Sequence, residues 1–238
     1  MNKAIAMVTA LGLTCGATAA VQASPQEDQE NFKQFYMERF PDVPQEDFIN
    51  GVYSIDAPGR ENWEAIEEFP PYETALSDGE EMWNTAFANG KTYQDCFPDG
   101  PGVAGKYPHW DKDRGMVVTM ALAVNECREA NNEKPLKYKK GPIANILAYM
   151  AYETRGQITN VEIPEDDPKA LEAYEQGKQF WFAKRAQLNF SCVNCHAQNP
   201  GAVLRTETLS PAYGPTTHWP VYRSKWDAIG TLHPHFTR

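Results

Sequence analysis

The run Gln187-Leu188-Asn189-Phe190-Ser191-Cys192-Val193-Asn194-Cys195-His196 carries the strongest signal in the chain. A C-x-x-C-H run in an exported protein is typical of covalent haem c attachment. The two thiols lie about one helical turn apart, which suits their addition to two vinyl groups of a porphyrin, and the adjacent histidine then reaches the iron. The sequence therefore predicts one haem c, held by Cys192 and Cys195, with His196 as proximal ligand. A thioredoxin-like pair does not need His196, and a zinc site would need further ligands at zinc spacing, so both are weaker interpretations.

Two stretches of the chain share the pattern Gly-x-x-apolar-Trp ahead of a cysteine. They are Gly79-Glu80-Glu81-Met82-Trp83, followed by Cys96, and Gly177-Lys178-Gln179-Phe180-Trp181, followed by Cys192. A glycine at this place in a helix lets a crossing helix approach closely. Such a helix ahead of the ligand motif is typical of cytochrome c. The repeat predicts a mainly α fold with two cytochrome c-like domains in tandem.

The two predicted domains differ, because only the second copy has the ligand motif. Residues 76–156 are expected to form a cytochrome c-like domain without haem. Its closing helix is indicated by apolar residues at helical spacing, namely Ile143, Ile146, Leu147 and Met150. A linker, 157–167, leads to the haem-binding domain, 168–238, whose first helix is expected to start at Asp167-Pro168. The residues after His196 show no pattern of a closing helix, so we expect this second domain to be truncated at its C-terminus, unless a partner completes it.

The N-terminal residues 1–23 have the features of a secretory signal peptide. Lys3 precedes an uncharged apolar run, and Val21-Gln22-Ala23 is a small-x-small cleavage site. A membrane-spanning helix is the alternative, but the stretch is short for it. Residues 24–75 are predicted to form an extended N-terminal arm with short helices. Trp63 and Phe69 are its expected anchors.

The composition and the predicted export limit the possible partners and the compartment of the protein. The formal net charge is −10, which argues against nucleic acid as a partner, because phosphate binding needs clustered Lys and Arg. Removal of a signal peptide would leave a periplasmic protein with no further predicted membrane span, in a compartment where thiols oxidise. Cys96 and Cys127 are then the pair outside the haem motif, and a disulfide between them is expected; two buried free thiols are the alternative.

The iron's second axial ligand is not evident from the residues. Met is the usual distal ligand in electron-transfer cytochromes c, but no methionine follows Met150. His218, His233 and His235 are candidates within the chain. A ligand beyond Arg238 is the remaining alternative.

The chain resembles the SoxA subunit of the SoxAX cytochrome of bacterial thiosulfate oxidation. The resemblance rests on the run that ends in the haem motif and on several other segments. These are Leu204-Arg205-Thr206-Glu207, Leu209-Ser210-Pro211, His218-Trp219-Pro220-Val221-Tyr222-Arg223, Cys96-Phe97 and the stretch from Lys134 to Pro142. It implies two cytochrome c domains, a SoxX-type monohaem cytochrome as partner, and a SoxYZ-type carrier protein. The implied activity is that of an L-cysteine S-thiosulfotransferase, which joins thiosulfate to a carrier cysteine and passes electrons on.

The same resemblance implies where the reaction takes place. In the family a cysteine, often as a persulfide, is the distal haem ligand and follows a Leu-His-x-x-Phe segment, which here begins at Leu232. The catalytic cysteine is therefore expected just beyond Arg238, outside this chain. The family's substrate-binding arginine, four residues before that cysteine, would correspond to His235. His235 and Arg238 are the candidate substrate-binding residues.

Two other functions remain open on the sequence. One is a bis-His electron-transfer cytochrome c without sulfur-transfer activity. The other is a non-catalytic interaction subunit, because the chain lacks the expected nucleophile. Thiosulfate-dependent electron transfer would separate the enzyme subunit from both.

Overall fold

A computed structural model describes residues 23–236 of the 238-residue chain. Most of the predicted signal peptide, as well as Arg238, lies outside the described residues. The fold is mainly α, as predicted. Its helices are α1 (Pro25–Arg39), α2 (Ala57–Glu67), α3 (Glu73–Asn84), α4 (Met120–Ala130), α5 (Pro142–Tyr152), α6 (Pro168–Phe182), α7 (Cys192–His196) and α8 (His233–Phe236).

Three short antiparallel hairpins and several 3₁₀ turns connect these helices. The hairpins are β1–β2 (His109–Asp111 and Met116–Val118), β3–β4 (Val203–Leu204 and Glu207–Thr208) and β5–β6 (Val221–Arg223 and Ala228–Gly230). The 3₁₀ segments are Gln45–Ser54, Tyr93–Asp95, Ala104–Lys106 and Pro215–His218. No helix within residues 23–236 combines the length and the apolar character that a membrane crossing needs.

The N-terminal arm, for which short helices were predicted, contains α1, the 3₁₀ segment Gln45–Ser54 and α2. Ser24 caps α1 by accepting a hydrogen bond from the Glu27 backbone N–H, and Pro25 occupies the first turn, where its missing N–H is no loss. The buried anchors of the arm are Tyr36 and Phe48, both fully buried. Phe69, an expected anchor, is 88% exposed.

The first part of the core lies where α3 crosses α5. Gly79 is buried, and a Cβ at this position would lie 2.3 Å from the Asn145 carbonyl oxygen. The predicted apolar face of α5 is buried against α3 and α4, with Trp83 of α3 in the same cluster. The glycine thus allows the close helix crossing that the pattern predicted.

Residues 116–127 form a strand and then a helix. Met116–Val118 pairs with His109–Asp111, and Thr119 then caps α4 by accepting a hydrogen bond from the Leu122 N–H. Cys127, on α4, is bonded to Cys96 with a Cα–Cα distance of 5.8 Å, so the predicted disulfide is present. It ties α4 to the loop that follows α3.

The second part of the chain begins with α6, which is capped as expected. Asp167 accepts hydrogen bonds from the Lys169 N–H and from the Trp110 indole N–H, the latter at 2.8 Å. The β5–β6 hairpin returns to the first part: Ile229 is buried with Ala144 and Ala148 of α5. The two parts of the chain are therefore joined at both ends of the second one.

Candidate haem site

The haem motif forms one turn of helix, α7, directly after an exposed loop. The Asn194 side chain closes this turn by accepting hydrogen bonds from the Ser191 backbone N–H and hydroxyl, both at 2.9 Å. Cys192 and Cys195 are free thiols, partly exposed and unbonded to each other. Helical geometry places residues three apart on neighbouring faces, so both thiols are presented to the same side.

Within residues 23–236, the His196 ring is hydrogen-bonded through its Nδ1. Its Nδ1 lies 2.9 Å from the carbonyl oxygen of Ser210, so the N–H at this nitrogen donates and Nε2 keeps its lone pair. The ring also lies against Trp181 of α6, with centroids 6.3 Å apart. A hydrogen bond of this kind sets the tautomer and ring orientation of a metal-binding histidine and raises its basicity.

Tyr36 of the arm links α7 to the segment that holds His196. Its hydroxyl donates to the His196 carbonyl oxygen at 2.6 Å and accepts from the Ala212 N–H at 3.2 Å. The Ala212 N–H also reaches the His196 carbonyl at 3.1 Å. Burial raises the pKa of the Tyr36 phenol, so it stays protonated and remains a donor. One fully buried side chain thus connects His196 with Ala212, two residues after Ser210.

Ring contacts and one ionic cluster join the arm to α6. Phe32 of α1 meets Trp181 at 6.4 Å. Asp28 accepts hydrogen bonds from the Tyr174 hydroxyl and from the Lys178 ammonium. Burial is the main cause that raises the pKa of Tyr174, with the Asp28 bond second. The arm is therefore part of the site's support, which sequence reasoning missed.

Each of the three histidines considered as second axial ligand contacts another part of the chain. His218 Nε2 contacts the Ile49 carbonyl oxygen, and its ring lies against Gly51 in the arm. His233 lies 5.1 Å from the Tyr138 ring, and burial lowers its pKa. His235 lies 4.7 Å from the Trp219 ring.

The C-terminal helix α8 reaches α6 near the motif. Phe236 meets Phe180 edge-on at 6.3 Å, and Phe180 precedes Trp181, the residue that lies on His196. The segment that carries His235 and the motif that carries His196 thus contact the same end of α6. Arg238, the other candidate substrate-binding residue, lies outside the described residues.

The donor set and its surroundings fit haem c. A covalent haem needs two free thiols, one histidine with an available Nε2 and a large apolar surface, because the porphyrin is apolar over most of its area. This part of the chain also has exposed apolar side chains; they are Phe180, Phe182, Leu188, Phe190, Val203, Leu204 and Phe236.

Comparison with known proteins gives the class. The family model described as SoxA/TsdA, cytochrome c domain, matches residues 78–158, the part of the chain that lacks the C-x-x-C-H motif. That match and the motif at Cys192–His196 together define a c-type cytochrome subunit.

Whole-chain relatives give the family. L-cysteine S-thiosulfotransferase subunit SoxA of Allochromatium vinosum is 60% identical over 98% of this chain and 83% of its own length. The SoxA subunit of Chlorobaculum tepidum is 47% identical over 97% of this chain and 80% of its own. A chain in the crystal structure of SoxXA from P. pantotrophus aligns with a TM-score of 0.61 at 28% identity, covering 70% of this chain and 63% of that one. The chain belongs to the SoxA family.

Proposed function

We propose that this chain is the haem c subunit of a periplasmic L-cysteine S-thiosulfotransferase. It works with a SoxX-type monohaem cytochrome subunit and acts on a SoxYZ-type carrier protein, with thiosulfate as the sulfur donor. The relatives named above carry this activity in their names, at 60% identity for one of them. The structural observation that carries the proposal is the His196 arrangement, with Nδ1 on the Ser210 carbonyl and Nε2 available.

The reaction joins two sulfur atoms and removes two electrons. The carrier's cysteine thiol and the outer sulfur of thiosulfate form an S–S bond, which gives a cysteine S-thiosulfonate, one proton and two electrons. A haem c held by Cys192, Cys195 and His196 would supply a one-electron acceptor that the partner cytochrome could reoxidise. In our proposal the chain's own residues bind and orient that group and leave room for the two sulfur substrates beside it.

The holding residues have separate roles. The Cys192 and Cys195 sulfurs would attach the porphyrin, and His196 would bind its iron through Nε2. The Ser210 carbonyl keeps His196 basic, which favours the oxidised iron. His235, on α8, would assist binding of the thiosulfate dianion, a role that the acidic net charge of the chain makes useful. Arg238 is proposed for the same task.

The proposal also includes one haem per chain, because only the second part of the chain has the C-x-x-C-H motif. In the first part of the chain, Cys96 is bonded to Cys127 and no histidine follows it at the motif spacing. A bis-His electron carrier is the alternative function. His218 does not favour it, because its ring nitrogen is used by the Ile49 carbonyl in the arm.

The test is production of the full gene product with its partner cytochrome in a host that matures cytochromes c. Pyridine haemochrome analysis of the separated subunits should give one covalent haem on this chain, and the complex should reduce a cytochrome acceptor only when thiosulfate and carrier are both present. A Cys192→Ala, Cys195→Ala double variant should lose both properties. Carrier-independent electron transfer, unchanged by thiosulfate, would favour the plain electron carrier instead.

A further inference from the structure

A basic face with a tryptophan at its centre lies on the β5–β6 hairpin. We define it as Lys139, Lys140, Arg223, Lys225 and Trp226. The Lys140 ammonium lies 4.8 Å and the Arg223 guanidinium 5.3 Å from the Trp226 ring centre. The face thus brings together two stretches of sequence that are more than 80 residues apart.

The fold holds these two stretches in register. Lys140 pairs with Gly230 in an isolated antiparallel bridge, and the Thr231 N–H donates to the Lys139 carbonyl at 3.1 Å. The buried Thr231 hydroxyl donates to the Tyr138 carbonyl at 2.5 Å. Gly230 permits the packing, because a Cβ there would lie 2.4 Å from the Trp226 ring. The face is therefore a built surface and not only a run of lysines.

The cations of this face are poorly neutralised. Lys139, Lys140 and Lys225 are exposed, and none of them forms a salt bridge with any residue in the range 23–236. Arg223 reaches Glu207 only at 3.9 Å, at the protein surface, where such a pair contributes little. Asp227, the nearest acid in sequence, accepts a hydrogen bond from the Tyr222 hydroxyl. The whole chain, by contrast, carries a net charge of −10.

The position of the face connects it with the candidate site. Thr231 follows β6 directly and leads into α8, whose Phe236 contacts Phe180 of α6 beside the haem motif. A partner that rests on the basic face would therefore lie next to the segment that carries His235.

We propose that the basic face is the docking surface for an acidic surface of the carrier protein, an inference that rests on the proposed function. The residues of the basic face favour a protein, rather than a small anion, as its binding partner. Tryptophan and arginine are the residues that most often anchor protein interfaces, and the half-buried Trp226 offers apolar area that thiosulfate cannot use. Local cations on a protein of opposite net charge steer an acidic partner to one place and raise its association rate.

The experiment uses the haem-loaded complex with its partner cytochrome and the carrier protein of the same system. The test variant is Lys139→Glu with Lys225→Glu. The matched control is Lys91→Glu with Lys169→Glu, which changes net charge equally at two exposed lysines that form no salt bridge among the described residues. Affinity for immobilised carrier is measured at low and high salt. Turnover is measured separately against carrier and against thiosulfate.

For the test variant we expect affinity and kcat/KM for the carrier to fall by about tenfold or more at low salt. The difference from wild type should shrink at high salt, and the KM for thiosulfate should not change. The control should stay within about twofold of wild type. Equal losses in both variants would mean bulk charge repulsion and would overturn the proposal, as would a selective rise in the KM for thiosulfate. Salt-sensitive binding lost in the test variant, without any thiosulfate-dependent turnover in wild type, would support the docking surface and reject the proposed function.

Discussion

The two helices that share the Gly-x-x-apolar-Trp pattern have opposite surroundings. In α3, Gly79 lies against the backbone of α5, and Trp83 is 5% exposed. In α6, a Cβ built on Gly177 would meet no described atom within 4 Å beyond its chain neighbours and the adjacent helix backbone. Trp181 there packs on His196 and on Phe32 of the arm. One sequence pattern therefore serves a helix crossing in the first part of the chain and supports the haem motif in the second.

The difference shows what replaces the helix crossing in the second part. Along α6, Tyr174, Lys178 and Trp181 lie on the face that α1 covers, whereas Gly177 and Phe180 lie on a neighbouring face. The arm thus supplies packing that α5 supplies to α3. If this comparison is right, perturbing equivalent positions in the two parts should have unequal effects.

The largest effect should come from the disulfide, which occupies the place of the haem motif in the first part. Replacing Cys96 and Cys127 by Ala removes a link between residues separated by 31 positions. The free energy of unfolding should fall by about 3–4 kcal/mol, because the unfolded chain regains the entropy of an open loop. Chemical denaturation of the oxidised wild type and of the double variant measures this difference. A loss below about 1 kcal/mol would mean that the first part does not depend on the link.

The matched glycines give the next largest difference. Gly79→Ala places a methyl group against the Asn145 backbone, so it should destabilise by about 1–3 kcal/mol despite the better helix propensity of Ala. Gly177→Ala should be neutral or stabilise by up to about 1 kcal/mol, since its surroundings are open and only propensity changes. Thermal unfolding of the two variants side by side measures the contrast. Similar destabilisation by both would show that Gly177 also faces a close partner.

A smaller effect is expected where the arm supports the haem motif. Tyr36→Phe keeps the ring and removes the hydroxyl that binds the His196 carbonyl and the Ala212 N–H. Stability should fall by about 1–2 kcal/mol, because these buried groups lose a partner. A looser Ser210 segment should also weaken the hydrogen bond to His196 Nδ1, make the ligand less basic and raise the midpoint reduction potential of the haem protein.

A second tyrosine serves as control for this effect. Tyr213 stacks on Tyr36 at 6.3 Å, but its hydroxyl has only a long 3.4 Å contact with Gln45. Tyr213→Phe should therefore leave the potential unchanged in a spectroelectrochemical titration. Equal shifts in the two variants would show that the hydrogen bonds of the Tyr36 hydroxyl have no specific effect on the potential.

The parts of the fold that were predictable depend on local signals. The α3–α5 crossing at Gly79, the buried face of α5, the start of α6 at Asp167 and the pairing of Cys96 with Cys127 all had a signal in residue type or spacing. The start of α4 had no clear signal in the sequence. Thr119 caps the helix, but the apolar residues just before it suit a helix equally well.

The support of the haem motif could not be predicted, for a physical reason. Tyr36 and His196 are 160 residues apart, and a hydrogen bond between a side chain and a distant carbonyl leaves no period in the sequence. Phe69 is as apolar as Phe48, yet only Phe48 meets the Tyr36 and Tyr213 rings. Ser210 lies in Leu209-Ser210-Pro211, one of the segments on which the family resemblance rests. The group that holds His196, however, is the Ser210 carbonyl and not its side chain.

The smallest effect should arise at the N-terminus of α6, where the second part is attached to the first. The Trp110 indole N–H bond is the main cause that lowers the pKa of Asp167, and backbone N–H groups of α6 add to it. The charged carboxylate is thus favoured in the folded state, so its contribution is present above the ordinary pKa of 3.8 and is lost as the pH falls through the lower folded value. Asp167→Asn keeps an acceptor oxygen but loses the charge. It should lower the unfolding midpoint slightly at neutral pH, and the difference from wild type should shrink as the pH falls through the lowered folded pKa of Asp167. Asp166→Asn is the matched control, since this neighbour is exposed and reaches only Lys112 at 3.6 Å. A midpoint difference that stays constant as the pH falls would show that the loss comes from the changed acceptor and not from the missing charge.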